Sequence, residues 1–228
     1  MIIGTGLLAT VMMPAFSHWE NSVIYAAGVS NSRCSDPKEF AREASRLEQA
    51  LNEHTRANPF VYFSTCSIYD LESINTPYVL HKLAMEALVC RLPCHLIVRL
   101  PQVAGKTPNP HTLLNFLYAR IARGEGFSVW TKARRNIIDC ADVARIVRAL
   151  VEDGWHGRVI NVASDSDYSL IEIVRTFELI LNKTATVEYL EQGGTYAIDT
   201  SLMASYAKNE GIRFDDEYLV RVLRKYYG

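Results

Sequence analysis

The chain has 228 residues, a length that fits one domain or one domain with an added lobe. Hydrophobic residues make up 49% of the sequence and charged residues 21%, which allows a sizeable core and excludes an intrinsically disordered chain. Lys and Arg number 24 against 25 Asp and Glu, so the formal net charge of -1 offers no general attraction to nucleic acid or to an anionic membrane.

The cysteines and the apolar start of the chain bear on its location. Five cysteines without CxxC spacing do not favour a disulfide framework, and a reducing cytoplasm fits them better. Cys90, Cys94 and His95 straddle a predicted helix end and strand start without a second ligand pair, so we predict no metal site. Residues 1–16 lack a positively charged beginning and contain Pro14, so we expect neither an export signal nor a membrane span.

Apolar runs of strand length alternate with helical patterns, which indicates βαβ units and a parallel sheet. The predicted strands are apolar on both faces, as in a sheet buried between two layers of helices, and comprise residues 1–3, 22–27, 60–64, 95–100 and 158–162. The predicted helix starts are Asp36 before Pro37, Thr76 before Pro77, Asn109 before Pro110, about Asp139, and a capping box of Ser169 and Glu172. This order predicts one doubly wound α/β body with a small lobe formed by later segments.

A glycine motif of the form GxGxxA, from Gly4 to Ala9, follows the first predicted strand and opens a helical run. Small residues at these places permit a tight turn, let backbone N–H groups approach a pyrophosphate, and let the helix pack on the strand. By itself the motif fits a plain turn between a strand and a helix equally well.

Tyr78 and Lys82 are four residues apart at the start of a predicted helix and therefore share one helical face. An ammonium beside a phenol stabilises the phenolate. We therefore expect Lys82 to lower the pKa of Tyr78 from its usual value of about 10, which would make the phenol a usable acid or base near neutral pH.

Hydroxyl side chains cluster where the third predicted strand ends, at Ser64, Thr65 and Ser67. Parallel α/β sheets bind ligands beyond the carboxyl ends of their strands. Thr65 precedes Tyr78 by thirteen residues, so a short loop is expected to bring the two hydroxyl groups together. The alternative is that these side chains only satisfy backbone groups at a polar strand end.

These motifs, in this order, resemble the extended branch of the short-chain dehydrogenase/reductase superfamily, which comprises NAD-dependent nucleotide-sugar epimerases, dehydratases and reductases. The matching segments span almost the whole chain and are residues 26–28, 64–69, 78–82, 99–105, 135–144 and 161–173. The resemblance implies a Rossmann-like doubly wound parallel sheet, shortened near the N-terminus, with a small C-terminal substrate lobe. The dinucleotide-binding core would comprise residues 1–105 and 137–163, and the interleaved lobe residues 106–136 and 164–228.

The resemblance also implies a role for each matching residue. Tyr78 would be the acid or base, Lys82 would hold the pKa of the phenol and bind the nicotinamide ribose, and Thr65 would bind the sugar hydroxyl or ketone. The residues implied to bind NAD or NADP are Gly4, Gly6, Leu7, Leu8, Ala26, Ala27, Gly28, Ser64, Tyr78, Lys82 and Pro101. Those implied to bind a nucleotide-sugar substrate are Thr65, Ser67, Gln102 and Arg135, although Arg135 also fits a solvated surface position.

The sequence departs from the family pattern on the adenosine side. Dinucleotide sites place an Asp or Glu about 20 residues past the glycines, and that distance here falls on Ala26, Ala27 and Gly28. The strand ending there resembles the family's fourth, so the usual second and third strands are missing. The sequence therefore does not select between NAD and NADP, and the adenosine half of the pocket lacks its usual wall. The first strand becomes a sheet edge, which we expect a partner subunit of a homodimer or residues 14–21 to cover.

The leading hypothesis is a cytoplasmic NAD(P)-dependent oxidoreductase or epimerase that acts on a nucleotide-activated sugar by hydride transfer. A dehydratase of this family would carry an Asp-Glu pair after Thr65, where this chain has Cys66 and Ser67. The lack of an obvious second base favours a reductase over an epimerase. The alternative is a remnant of the fold that binds a sugar nucleotide or a partner subunit without redox turnover.

Overall fold

The computed structural model of the protein describes residues 1–19 and 21–228. Strands β1 to β10 are Ile2–Ile3, Val23–Tyr25, Phe60–Thr65, His95–Leu100, Gln102–Ala104, Phe127–Trp130, Arg134–Asp139, Arg158–Asn161, Asp167–Ser169 and Val187–Leu190. Helices α1 to α8 are Leu7–Ala15, Pro37–Glu53, Pro77–Val89, Leu113–Arg123, Cys140–Glu152, Leu170–Leu181, Met203–Asn209 and Tyr218–Tyr227, and a short 3-10 helix spans Cys66–Tyr69. No helix in these two described ranges is long and apolar enough to cross a membrane.

The central sheet has five strands in the order β1-β2-β3-β4-β8, and all neighbouring pairs are parallel. On one face, Leu47 of α2 and Met85 of α3 pack against Phe60 and other sheet residues. On the other face, helices α1 and α5 pack through residues such as Met12 and Val147. Helices thus cover both faces, and the predicted doubly wound parallel sheet is confirmed.

The segments of the predicted lobe share the larger of these two apolar clusters. Strands β6 and β10 form a parallel pair, while β5, β7 and β9 form a second small sheet. Leu117 of α4, Phe177 of α6 and Leu223 of α8 are buried in the same apolar cluster as the α1 face of the main sheet. The division of the chain into a core and an interleaved lobe stays a prediction.

Most predicted helix starts are confirmed by their caps. The side chains of Asp36, Thr76 and Asp139 accept backbone hydrogen bonds in the first turns of α2, α3 and α5, and Ser169 with Glu172 forms the complete capping box of α6.

The predicted helix start at Asn109 is wrong. The Asn109 side chain accepts a hydrogen bond from the N–H of His111, a local turn that competes with a helix, and α4 begins only at Leu113. Thr112 caps this helix by accepting from the N–H of Asn115. A threonine hydroxyl three residues downstream therefore decides the boundary.

The first strand lies at the edge of the sheet, as expected from the shortened N-terminal half. It pairs with β2, and no strand within the described ranges pairs with its other side. A cavity of about 450 Å³ lies beside this edge, lined by Met1, Ile2, Gly4, Met13, Phe16, Ser17 and Trp19. Part of the predicted covering segment thus lies near the edge, while Glu20 falls outside the described residues and a covering partner subunit stays a prediction.

Candidate active site

The predicted site residues come to one edge of the main sheet because the carboxyl ends of parallel strands meet there. Each neighbouring strand contributes a group of them. Gly4 and Gly6 follow β1, Ala26 to Gly28 follow β2, Ser64 and Thr65 end β3, and Pro101 and Gln102 follow β4. Their positions agree with a ligand cleft, whereas their individual roles stay predictions.

Thr65 and Tyr78 lie side by side at this edge. The Thr65 oxygen accepts a hydrogen bond from the N–H of Ser67 at 3.0 Å, and the Thr65 hydroxyl is close enough to the Tyr78 phenol to lower its pKa. Thr76 caps α3 and places Tyr78, which is 7% exposed, in the first turn. The predicted meeting of Thr65 and Tyr78 is confirmed. The alternative interpretation of Thr65 also holds, because its side-chain oxygen accepts a hydrogen bond from the backbone.

Lys82 lies one helical turn after Tyr78 and is buried. Its Nζ donates to Glu43 Oε1 at 3.1 Å, to the Tyr62 hydroxyl at 3.1 Å and to the Phe63 carbonyl at 3.4 Å. An ammonium has three N–H donors, so these protein groups engage all of them.

Glu43 is the centre of this cluster and was not among the predicted site residues. Its Oε1 also accepts from the Tyr62 hydroxyl at 2.7 Å, while its Oε2 accepts from the N–H of Val29 at 2.6 Å and lies 3.0 Å from Nε2 of His81. Burial by itself would raise the pKa of Glu43, but the hydrogen bond with His81, the Lys82 charge and the other hydrogen bonds hold it at about 2.

A signal for Glu43 does exist in the sequence. It stands four residues before Leu47, on the buried face of α2, and only 1% of the residue is exposed. A carboxylate on the apolar face of an amphipathic helix needs a buried partner, because an unpaired buried charge is costly. Periodicity alone could not identify Lys82 as that partner.

The predicted lowering of the pKa of Tyr78 by Lys82 is wrong. Burial raises the pKa of Tyr78 above its usual value, the Thr65 hydroxyl lowers it, and the negative charge of Glu43 raises it. The Lys82 ammonium is paired with Glu43, so its charge is compensated. Tyr78 is therefore a protonated phenol at neutral pH.

The free energy of unfolding is expected to fall as the pH decreases from about 4.5 to about 2, because of Glu43. Its pKa is about 2 in the folded protein against an ordinary value of 4.5, so the unfolded chain takes up the proton first and is stabilised. This contribution is fully present above pH 4.5, is on the order of 3 kcal/mol there, and is lost as the pH falls through the folded pKa.

Urea unfolding at a series of acidic pH values measures this dependence. The Glu43→Gln variant should be less stable at neutral pH and show a flatter dependence below pH 4.5, whereas Glu39→Gln, at an exposed position of the same helix, should follow the wild type. Equal slopes in wild type and Glu43→Gln would contradict the prediction.

The glycine turn has the geometry of a close backbone approach. Gly4 has a φ of +134°, and a Cβ there would lie 2.4 Å from the carbonyl oxygen of Ala26, so only glycine fits. A Cβ at Gly6 would meet nothing within 4 Å, and Gly6 stands at the N-terminus of α1. Ala9 is fully buried where the helix packs. The turn therefore fits the pyrophosphate of a dinucleotide, whose negative charge a helix N-terminus favours.

The adenosine side lacks the usual acidic residue. Ala26 and Ala27 follow β2 as half-exposed small side chains. Gly28 packs against the buried ion pair, because a Cβ there would lie 2.5 Å from Nζ of Lys82 and 2.8 Å from Oε1 of Glu43. The space at Gly28 is thus taken by the side chains that hold Lys82.

The four predicted substrate residues lie on four different elements, Thr65 being the last residue of β3. Ser67 is in the 3-10 helix after Thr65, and Gln102 opens β5. Arg135 of β7 donates to the carbonyl oxygens of Arg134 at 2.7 Å and Gly194 at 3.3 Å, and its guanidinium lies 6.0 Å from the centre of the Tyr196 ring. Arg135 is therefore held against residues 194–196 rather than free in solvent.

Tyr196 was missed by sequence reasoning because it lies outside any helix or strand and in no motif. Burial raises its pKa to about 12, and the charge of Arg135 lowers it, while Cys66 and Asp70 raise it. The segment around Tyr196 therefore lies near both Arg135 and the loop after Thr65.

Cys66 and His81 are two candidates for a second base outside the Thr65–Tyr78 pair. Burial raises the pKa of Cys66 to about 12, so it stays a thiol at neutral pH. His81 faces Glu43. The five cysteines are free, and the described part of the chain contains no group of three His, Cys, Asp or Glu side chains placed to hold a metal ion.

The fold and the glycine turn define a doubly wound α/β protein of the dinucleotide-binding type. A sequence profile of the NAD dependent epimerase/dehydratase family matches residues 20–163, more than half of the chain, and the protein belongs to this family. A sequence comparison with curated proteins finds no match.

Solved structures that cover nearly the whole chain show the same fold. UDP-glucuronic acid 4-epimerase from Bacillus cereus, in complex with UDP-glucuronic acid and NAD, is 21% identical with a TM-score of 0.73, over 98% of this chain and 79% of that one. UDP-glucose 4-epimerase from Thermus thermophilus, in complex with NAD, is 17% identical with a TM-score of 0.71, and the match covers 98% of this chain and 83% of that one. RMD from Pseudomonas aeruginosa, in complex with NADPH, is 20% identical with a TM-score of 0.64, and the match covers 97% of this chain and 84% of that one.

Proposed function

We propose that the protein is an NAD(P)-dependent enzyme that acts on a nucleotide-activated sugar, and that it reduces a ketone rather than epimerising a carbinol. The observation that carries the proposal is the contact of Thr65 with Tyr78 at the end of β3, on the same sheet edge as the glycine turn. The family to which the chain belongs and the NAD or NADPH in the similar solved structures support it.

The residues that would hold the dinucleotide follow from the sheet edge. The turn at Gly4 and Gly6 would take the pyrophosphate, and Lys82 would meet the nicotinamide ribose. Leu7, Leu8, Ala26, Ala27, Ser64 and Pro101 would line the cleft. When bound, the nicotinamide supplies or accepts the hydride.

The protein's own part in the reaction is to position the substrate and move a proton. Thr65 would hydrogen-bond the ketone oxygen and hold it beside Tyr78. Tyr78, as a protonated phenol at neutral pH, would then give its proton to that oxygen. A phenol in this state suits the donation of a proton in reduction better than its abstraction.

A reductase is also favoured over enzymes that need further acid/base groups. Epimerisation or dehydration requires extra groups or a freely rotating intermediate, and the candidates for a second base are a buried thiol, Cys66, and a histidine, His81, that faces Glu43. The nucleotide would be bound through Ser67, Gln102 and Arg135, of which Arg135 offers two N–H groups to a phosphate. A cytoplasmic location and a homodimer stay predictions.

A second candidate is a protein that binds a sugar nucleotide or a partner subunit without redox turnover. Two observations favour it. Residues 26–28 lack the acidic side chain that binds the adenosine ribose, and the donors of Lys82 are engaged by protein groups.

Titration with NADH and with NADPH, followed by fluorescence, separates the two candidates. The enzyme predicts saturable binding of at least one of them, lost in the Gly6→Asp variant, because a carboxylate at the turn repels the pyrophosphate and fills its space. Calorimetry with UDP-sugars, run alongside, tests substrate binding. Binding of a sugar nucleotide with no binding of either dinucleotide would reject the enzyme and favour the second candidate.

A further inference from the structure

The ion pair between Glu43 and Lys82 joins three layers of the protein beneath the candidate site. Glu43 comes from α2, Lys82 from α3, and both contact Tyr62 of β3, so the pair closes the space between two helices and the sheet. The side chains are 1% and 4% exposed. The second carboxylate oxygen of Glu43 accepts a hydrogen bond from the backbone N–H of Val29 and lies 3.0 Å from Nε2 of His81.

Stability alone does not account for such a pair. Removing two charges from water costs free energy that their attraction often fails to recover, and apolar side chains of similar volume commonly serve as well. Gly28 lies directly against both charged groups, where any side chain would displace them. The pair also sits one helical turn below Tyr78, on the same face of α3.

We propose that Glu43 is the positioning residue for Lys82: it fixes the ammonium in place and keeps it protonated, so that its longest hydrogen bond, to the Phe63 carbonyl at 3.4 Å, can be exchanged for one to a ribose hydroxyl of the bound dinucleotide. The ribose contact rests on the proposed function, whereas the control of Lys82 by Glu43 does not.

The electrostatics of the cluster agree with this role. Burial lowers the pKa of Lys82, while the charge and hydrogen bond of Glu43 raise it, so the carboxylate opposes the loss of the proton that burial favours. Glu86 of α3 also raises it. The other titratable groups that face the pair are Tyr25 of β2, Tyr62 of β3, and Tyr78 and His81 of α3.

The test follows the titration of Lys82 by NMR in protein labelled at the lysine side chains, with its signal assigned by loss in Lys82→Arg. In Glu43→Gln, the Lys82 titration should shift to lower pH by about one unit or more, a tenfold loss of proton affinity. Glu43→Asp keeps the charge and should recover part of the shift. Glu39→Gln, at an exposed position of the same helix, should leave the titration unchanged.

A purely structural brace predicts a different pattern. It would lower stability in Glu43→Gln while leaving the NADH affinity of the folded protein unchanged, whereas an unshifted Lys82 titration would overturn the control of Lys82 by Glu43. If Glu43→Gln does not fold, the wild type decides by itself. Its Lys82 ammonium protons should then exchange slowly with water near neutral pH, and rapid exchange like that of the exposed lysines would overturn the proposal.

The dinucleotide contact has its own readout. We expect Glu43→Gln to weaken NADH binding by about tenfold, because the ammonium is no longer fixed. Unchanged NADH affinity in this variant would overturn the ribose contact. Failure of the wild type to bind NADH or NADPH would instead reject the proposed function, and the lysine titration would still test the control of Lys82 by Glu43.

Discussion

The Tyr78→Phe variant is expected to lose about 10²- to 10⁴-fold in the rate of NADH oxidation with a nucleotide keto sugar, the range of a missing general acid. The substitution removes the proton donor and almost no volume. Tyr78 is buried, so packing should keep the ring in its place and the affinities for NADH and sugar nucleotide should change by no more than about twofold. The phenol would thus act on the reaction rather than on binding.

Single-turnover kinetics and ligand titration of the same preparations measure both quantities. Tyr189→Phe is the matched control, because Tyr189 is exposed on β10, and the rate of this variant should equal that of the wild type. A wild-type rate in Tyr78→Phe would make the phenol a structural group and remove the chemical basis of the proposed function.

The Gly4→Ala variant is expected to be less stable by about 2–4 kcal/mol. A side chain at a φ of +134° is strained, and its Cβ would lie 2.4 Å from the carbonyl oxygen of Ala26, so the end of β1 must move away from the segment after β2. Urea unfolding measures the loss.

Gly6→Ala is the matched comparison, because it adds the same methyl group to the same turn. Its φ of -80° suits alanine and nothing lies within 4 Å of the added Cβ, so stability should stay within about 0.5 kcal/mol of the wild type. NADH binding should nevertheless weaken, since the methyl occupies space that a phosphate needs. Wild-type affinity in Gly6→Ala would mean that no pyrophosphate approaches this turn.

Local features of this fold were predictable because they depend on neighbouring residues. The strand at residues 95–100 contains the apolar run Leu96 to Val98 and was predicted with its observed bounds. Asp36 and Thr76 cap helices within a few residues of themselves, so composition alone indicates their role. The start of α4 was mispredicted because Asn and Thr are both residue types that favour helix N-caps. Only the hydrogen bonds of the structure show that Thr112 caps the helix and that Asn109 forms a turn.

The spacing of Thr65 and Tyr78 was sufficient to bring them together, since a strand end and the next helix start must lie at the same sheet edge. The state of that phenol depended on groups far away in sequence. Glu43 precedes Lys82 by 39 residues, and only the packing of α2 against α3 shows that its carboxylate pairs with the ammonium.

The amino-acid sequence by itself determined the doubly wound sheet, the glycine turn and the meeting of Thr65 with Tyr78, because apolar periodicity and local hydrogen bonding act over short stretches of chain. Only the tertiary structure decided which carboxylate pairs with the Lys82 ammonium and whether the pKa of Tyr78 is raised or lowered. Burial and charge pairing depend on which distant side chains share a water-excluded space, and no local pattern carries that information.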